Sequence, residues 1–94
     1  TATVDGEVQG VGDPAGQARA AFQIALDAII LAGGSPADVV RTRMYIVDRA
    51  YADVVGRIHG EVFGGVRPAS TLVVVAGLLH PDHLVEVEVE AYRV

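Results

Sequence analysis

Leu84-Val85-Glu86-Val87-Glu88-Val89-Glu90-Ala91 alternates valine with glutamate without a break. Successive side chains of an extended strand point to opposite faces, so this stretch places Val85, Val87 and Val89 on one side and three carboxylates on the other. The valine row calls for an apolar layer above it. A row of like charges along one side of a strand is unfavourable unless it meets solvent, cations or another chain. The stretch therefore describes a sheet covered on one face only, whose other face is wet or is an assembly surface.

The rest of the chain supplies the cover. Asp13-Pro14 combines an N-cap acceptor with proline at the first helical position. Ala18, Phe22, Ala25, Leu26 and Ile29 then recur at three- and four-residue steps, and Gly33-Gly34 with Pro36 supplies the stop, so a helix is expected over about 14–32. Tyr51, Val54, Val55, Ile58 and Val62 repeat the helical spacing after Asp48 and before Gly64-Gly65, which gives a second helix over about 50–63. Residues 39–47 are rich in β-branched and aromatic types and read as a strand. One of its faces carries Val40, Thr42, Met44 and Ile46, the other Arg41, Arg43, Tyr45 and Val47. Ser70–Ala76 and Leu84–Val94 are the remaining strands, separated by a loop over Gly77–His83. Near the start, Asp5-Gly6 is a turn dipeptide between short alternations and marks the end of a hairpin whose first strand is mostly missing. The expected order is β-α-β-α-β-β, an α+β fold with both helices on one face of the sheet.

Ninety-four residues make one domain, expected over 1–94, and no internal repeat divides them. A chain of this size hides only about 60–65% of its unfolded surface, so a composition that is 51% hydrophobic predicts further burial in a homo-oligomer. Twelve acidic residues against seven basic ones, all arginine, give a net charge of −5, which repels a phosphate backbone and argues against a nucleic-acid partner. The absence of cysteine excludes disulfides, thiolate metal sites and a cysteine nucleophile, and leaves the cytoplasm as the default compartment. The longest apolar run, Ala25–Ala32, is interrupted by Asp27 and falls well short of the ~18 residues of a membrane span. No charged segment precedes an apolar stretch as in a signal peptide.

Three segments resemble the RidA/YjgF family of small trimeric proteins, also known as L-PSP endoribonuclease-like or translation-inhibitor proteins. The first is Gly12-Asp13, Gln17 and a helix that closes Leu31-Ala32-Gly33-Gly34-Ser35-Pro36-Ala37-Asp38-Val39-Val40. The second is Tyr45-Ile46-Val47-Asp48 with the helix ending Val62-Phe63. The third is Arg67-Pro68-Ala69-Ser70-Thr71 followed by Leu84–Ala91. Order and spacing match over nearly the whole chain. The resemblance implies a chorismate-mutase-like fold, a homotrimer with its sheets packed into a central barrel, and ligand clefts at the subunit interfaces. It also implies two further strands ahead of the point where this sequence starts.

In the best-known members the implied chemistry is hydrolysis of enamines or imines such as 2-aminoacrylate to a 2-keto acid and ammonia, without metal or other cofactor. An arginine after the Pro-Ala pair clamps the substrate carboxylate and a glutamate on the final strand positions water. The glutamate falls on Glu86, with Glu88 as the alternative because the preceding loop differs by one residue. The arginine position is Ser70, which puts this chain in a subgroup lacking the clamp. A hydroxyl donates one neutral hydrogen bond and brings no charge. The family's asparagine and tyrosine positions on the second helix are Gly56 and His59.

Ser70, Thr71 and the Leu72 backbone are expected at the cleft edge. Arg67 is the candidate replacement guanidinium, although its three-residue offset from Ser70 gives it the opposite parity on a regular strand, which Pro68 would interrupt. His80-Pro81-Asp82-His83 has two histidines but no third ligand and reads as a surface turn, so no metal is expected. His59 reads as a packing or rim residue, and Arg41 and Arg43 as ion-pair partners of the glutamate row. Three functions stay open: a small-molecule-binding deaminase acting on imino or keto acids, a non-catalytic trimeric binding or regulatory module, and an endoribonuclease, which the acidic charge disfavours.

Overall fold

The computed structural model describes residues 1–93. Short strands β1 (Thr3–Val4) and β2 (Glu7–Val8) form a hairpin, followed by α1 (Pro14–Leu31), β3 (Val39–Ile46), α2 (Ala52–Phe63), β4 (Ala69–Val74) and β5 (Val85–Ala91). Single 3-10 turns at Pro36–Asp38 and Arg49–Tyr51 lead into β3 and α2. The architecture is α+β, two helices against a mixed sheet, as the residue pattern predicts. The hairpin extends the expected order to β-β-α-β-α-β-β. Asp5 and Gly6 both have positive φ, 51° and 79°, as its two-residue turn requires. The C-terminal strand stops at Ala91 rather than running on to Val94, which lies outside the described residues.

Local chemistry explains the helix ends. The Asp13 carboxylate accepts from Gly16 N at 3.0 Å and Pro14 opens α1. At the other end Gly33 adopts φ +94°, with Gly33 N donating to Ile30 O at 3.0 Å and Gly34 N to Ile29 O at 2.9 Å. That pair of bonds satisfies carbonyls the helix would otherwise leave open.

The three-stranded sheet has the order β4-β3-β5, with β4 parallel and β5 antiparallel to β3. Thr42, Met44 and Ile46 face the helices together with Val85, Val87 and Val89, around a core of Phe22, Val55, Ile58 and Phe63. Val40 departs from the expected face. A bulge between Val39 and Arg41 places one extra residue in β3, so Val39 is buried and Val40 is 50% exposed. Gln17, fully buried on α1, donates from Nε2 to Asp82 O at 2.8 Å and accepts from Leu84 N at 2.7 Å. It thereby tethers the loop before β5 to the first turn of α1. Among the described residues no helix is long and apolar enough to cross a membrane.

Candidate functional site

On the sheet face away from the helices, Tyr45 lies opposite Glu86, Arg43 opposite Glu88 and Arg41 opposite Glu90. Only Arg41 pairs straight across. Tyr45 OH donates to Glu88, Arg43 Nη1 reaches Glu90 at 3.1 Å, and Arg41 Nη2 also contacts Glu90, at 3.5 Å. Two pairings therefore slip diagonally, as long side chains on neighbouring strands can. Glu88 and Glu90 are occupied, and Glu86 has no partner from β3. Its contact is with the Thr1 amino nitrogen, at 3.3 Å. The hydrogen bond to Glu88 is the main reason that the Tyr45 phenol is held above its ordinary value, with loss of hydration and the Glu88 charge adding to it and Arg43 opposing.

Glu86 opens onto a pocket of about 360 Å³ lined by Thr1, Leu79, His80, Pro81 and His83. The loop segment from His80 to His83 is a turn closed by His83 N donating to His80 O at 3.0 Å. Only its first histidine is a surface residue. His83 is 8% exposed, and its Nε2 shares a 2.7 Å hydrogen bond with Thr3 Oγ1 from the hairpin. His80 is exposed, its Nδ1 accepts from Asp82 N at 3.0 Å, and its ring lies 5.3 Å from that of His83. Among the described residues no three His, Cys, Asp or Glu side chains form a metal-binding set.

The remaining candidates lie elsewhere. Ser70 is level with Thr42 and Leu72 with Met44, so both fall on the helix side of the sheet, whereas Thr71, level with Arg43, falls on the open side. Ser70 and Thr71 are exposed at the sheet edge and Leu72 is partly buried. Two strand spacings and three ladder positions separate Ser70 from Glu86, about 14 Å, on opposite faces. One chain does not bring them together. Arg67 precedes β4 with φ 56° and is exposed, and its backbone N donates to Phe63 O at 2.9 Å as the chain leaves α2. The strand-parity question thus does not arise for it.

His59 sits on α2 against Phe22 and Phe63, ring centroids 5.7 and 5.0 Å away, and its Nε2 shares a 2.7 Å hydrogen bond with the buried Thr42 hydroxyl. Burial lowers its pKa. A cavity the sequence did not reveal, about 510 Å³, runs between the C-terminal half of α1 and β5, where Ala25, Ile29, Gly34, Val89 and Tyr92 line it. Its existence depends on β5 being an edge strand, which no local pattern encodes.

The family model described as Endoribonuclease L-PSP matches residues 1–93. The chain belongs to the L-PSP family, also called YjgF/UK114 or Rid. The uncharacterised Streptomyces coelicolor protein SCO2049 is 46% identical over 84 residues, which cover 89% of this chain and 63% of that protein. The chain thus spans under two thirds of that relative's length. Rv2704 of Mycobacterium tuberculosis, a member of the YjgF/YER057c/UK114 family, superposes with a TM-score of 0.84 at 42% identity, covering 86% of this chain and 69% of its own. Escherichia coli TdcF, crystallised with bound serine, has a TM-score of 0.84 at 25% identity, covering 96% of this chain and 71% of its own. The L-PSP fold therefore accounts for the two helices, the mixed sheet and its one open face.

Proposed function

We propose that this L-PSP-family chain assembles as a homotrimer through its open sheet face and binds a small imino or keto acid at the subunit interfaces. There Glu86 orients water for hydrolysis of an enamine or imine. The observation that carries this reading is that Glu86, alone in its row, has no side-chain partner across the ladder and borders a pocket. The ~14 Å between Ser70 and Glu86 in one chain fits a cleft built from two subunits, with Ser70, Thr71 and Leu72 contributed by the neighbour. A relative crystallised with serine supports an amino-acid-sized ligand.

In this cleft the Glu86 carboxylate takes a proton from water as the water oxygen bonds to the C=N carbon, and passes that proton to the imine nitrogen. The carbinolamine hydroxyl then loses its proton to Glu86, which delivers it to the amino nitrogen as the C–N bond breaks, the C=O bond forms, and keto acid and ammonia leave. Ser70 offers one neutral hydrogen bond where the family's arginine would clamp a carboxylate, so weak substrate anchoring is part of the proposal. That substitution also favours a second reading, a trimeric binding or regulatory module without turnover. We take the cytoplasm as the setting in both.

Ammonia release from freshly generated 2-aminoacrylate, compared among wild type, Glu86→Ala and Ser70→Arg, separates the two. Turnover that Glu86→Ala abolishes supports the deaminase. Silence in wild type with turnover gained in Ser70→Arg leaves the binding module. Light scattering that finds a stable monomer near 9.8 kDa removes the interfacial site from both readings.

A further inference from the structure

In the turn before β5, His80 keeps a side-chain donor that the fold does not use. Asp82 N donates to His80 Nδ1, so the neutral ring carries its proton on Nε2, and Nε2 has no hydrogen-bond partner among the described residues. His80 lines the same pocket as Glu86, and the turn that carries it is closed by His83 N donating to His80 O at 3.0 Å, with the His83 ring buried. His83 is not available for the same task, since its Nε2 is engaged by Thr3 Oγ1. The pocket thus presents the Glu86 carboxylate with the Thr1 amino nitrogen beside it, the imidazole N–H of His80, and the apolar Leu79 and Pro81.

We propose that His80 is a ligand-binding residue of the Glu86 pocket, its Nε2–H donating to a carboxylate or keto oxygen of a small 2-keto or 2-imino acid. This rests on the reading of Glu86 as a cleft residue and goes beyond it by naming the ligand's anchor. Glu86 repels a bound carboxylate, so the acid group lies on the His80 side and the reacting carbon towards Glu86. A neutral donor fixed by a backbone hydrogen bond orients the ligand without reorganisation on binding.

The probe is pyruvate, titrated into the full chain and followed by amide chemical shifts. His80→Asn keeps an acceptor for Asp82 N, as short polar side chains do in such turns, and removes the Nε2 donor. His80→Gln returns an N–H donor near the Nε2 position. The expected result is binding weakened about 5- to 10-fold in His80→Asn and restored to within about 2-fold in His80→Gln, with melting temperature unchanged in both. Equal affinity in wild type and His80→Asn, together with a response to Glu86→Gln, overturns the role of His80 and leaves the cleft intact. Binding indifferent to both positions, or absent at millimolar pyruvate, overturns the cleft and the anchor together.

Discussion

Tyr45 donates its hydroxyl hydrogen bond to Glu88, although its neighbour straight across the ladder is Glu86. This one-step slip, continued by Arg43 reaching Glu90, decides which carboxylate of the row is left without a partner on β3. Glu86 and Glu88 are equivalent in the sequence pattern. On the sheet they differ because tyrosine and arginine are long enough to reach diagonally.

The Tyr45–Glu88 hydrogen bond is directly measurable. Tyr45 titrates above its ordinary value near 10 chiefly because Glu88 accepts from the protonated phenol. In Glu88→Gln the negative charge goes and the Tyr45 titration, followed by NMR of labelled tyrosine, moves down in pH. An unchanged midpoint would show that the bond does not form in solution.

His59 makes stability depend on pH with a defined sign. Burial lowers its folded pKa below the ordinary 6.5, so between those two values the unfolded chain binds a proton that the folded chain refuses. Its contribution is complete above about pH 6.5 and is lost as pH falls through that window. Thermal unfolding across pH 5–8 should show a shallower acid-side decline in His59→Gln than in wild type. Parallel curves would remove His59 as a source.

Gln17 carries more of the fold than its place on a surface helix implies. Replacing it with leucine leaves Leu84 N without its acceptor, which costs about 1–3 kcal/mol. Denaturant unfolding measures the loss. Hydrogen exchange at the Leu84 amide should accelerate selectively, and a uniform acceleration along β5 would instead indicate global destabilisation only.

Gly33 ends α1 at φ +94°, with open space where a side chain would go. Gly33→Ala therefore costs backbone strain alone, about 1–2 kcal/mol, and Gly33→Asn costs less. Equal stability of the alanine and glycine forms would mean that the cap relaxes to another geometry.

Much of this was readable in order. The Val85–Glu90 alternation, the glycine stops and the Asp13-Pro14 start are local signals, because strand parity and helix capping act over a few residues. The motif match from Gly12 to Ala91 added the family, and with it the expectation of a site carboxylate at Glu86 or Glu88. Val40 shows where local reading fails: the period of two holds until a bulge inserts a residue, and the bulge arises from pairing with β5. Arg67 shows the same, since a positive φ before Pro68 removes it from the strand whose parity the sequence reading considered.

The sequence by itself determined both helices, the three strands of the main sheet and their order, the two-faced sheet and the family, because these follow from periodicity, turn chemistry and motif spacing, while the complete two-stranded hairpin at the start was not read from it. Tertiary structure alone decided that Glu86 rather than Glu88 lacks a partner on β3, that Ser70 and Glu86 lie on opposite faces, and that His80 shares a pocket with Glu86. Those relationships join residues on different strands and loops. They depend on register, twist and side-chain reach, and no property of either segment taken singly contains them.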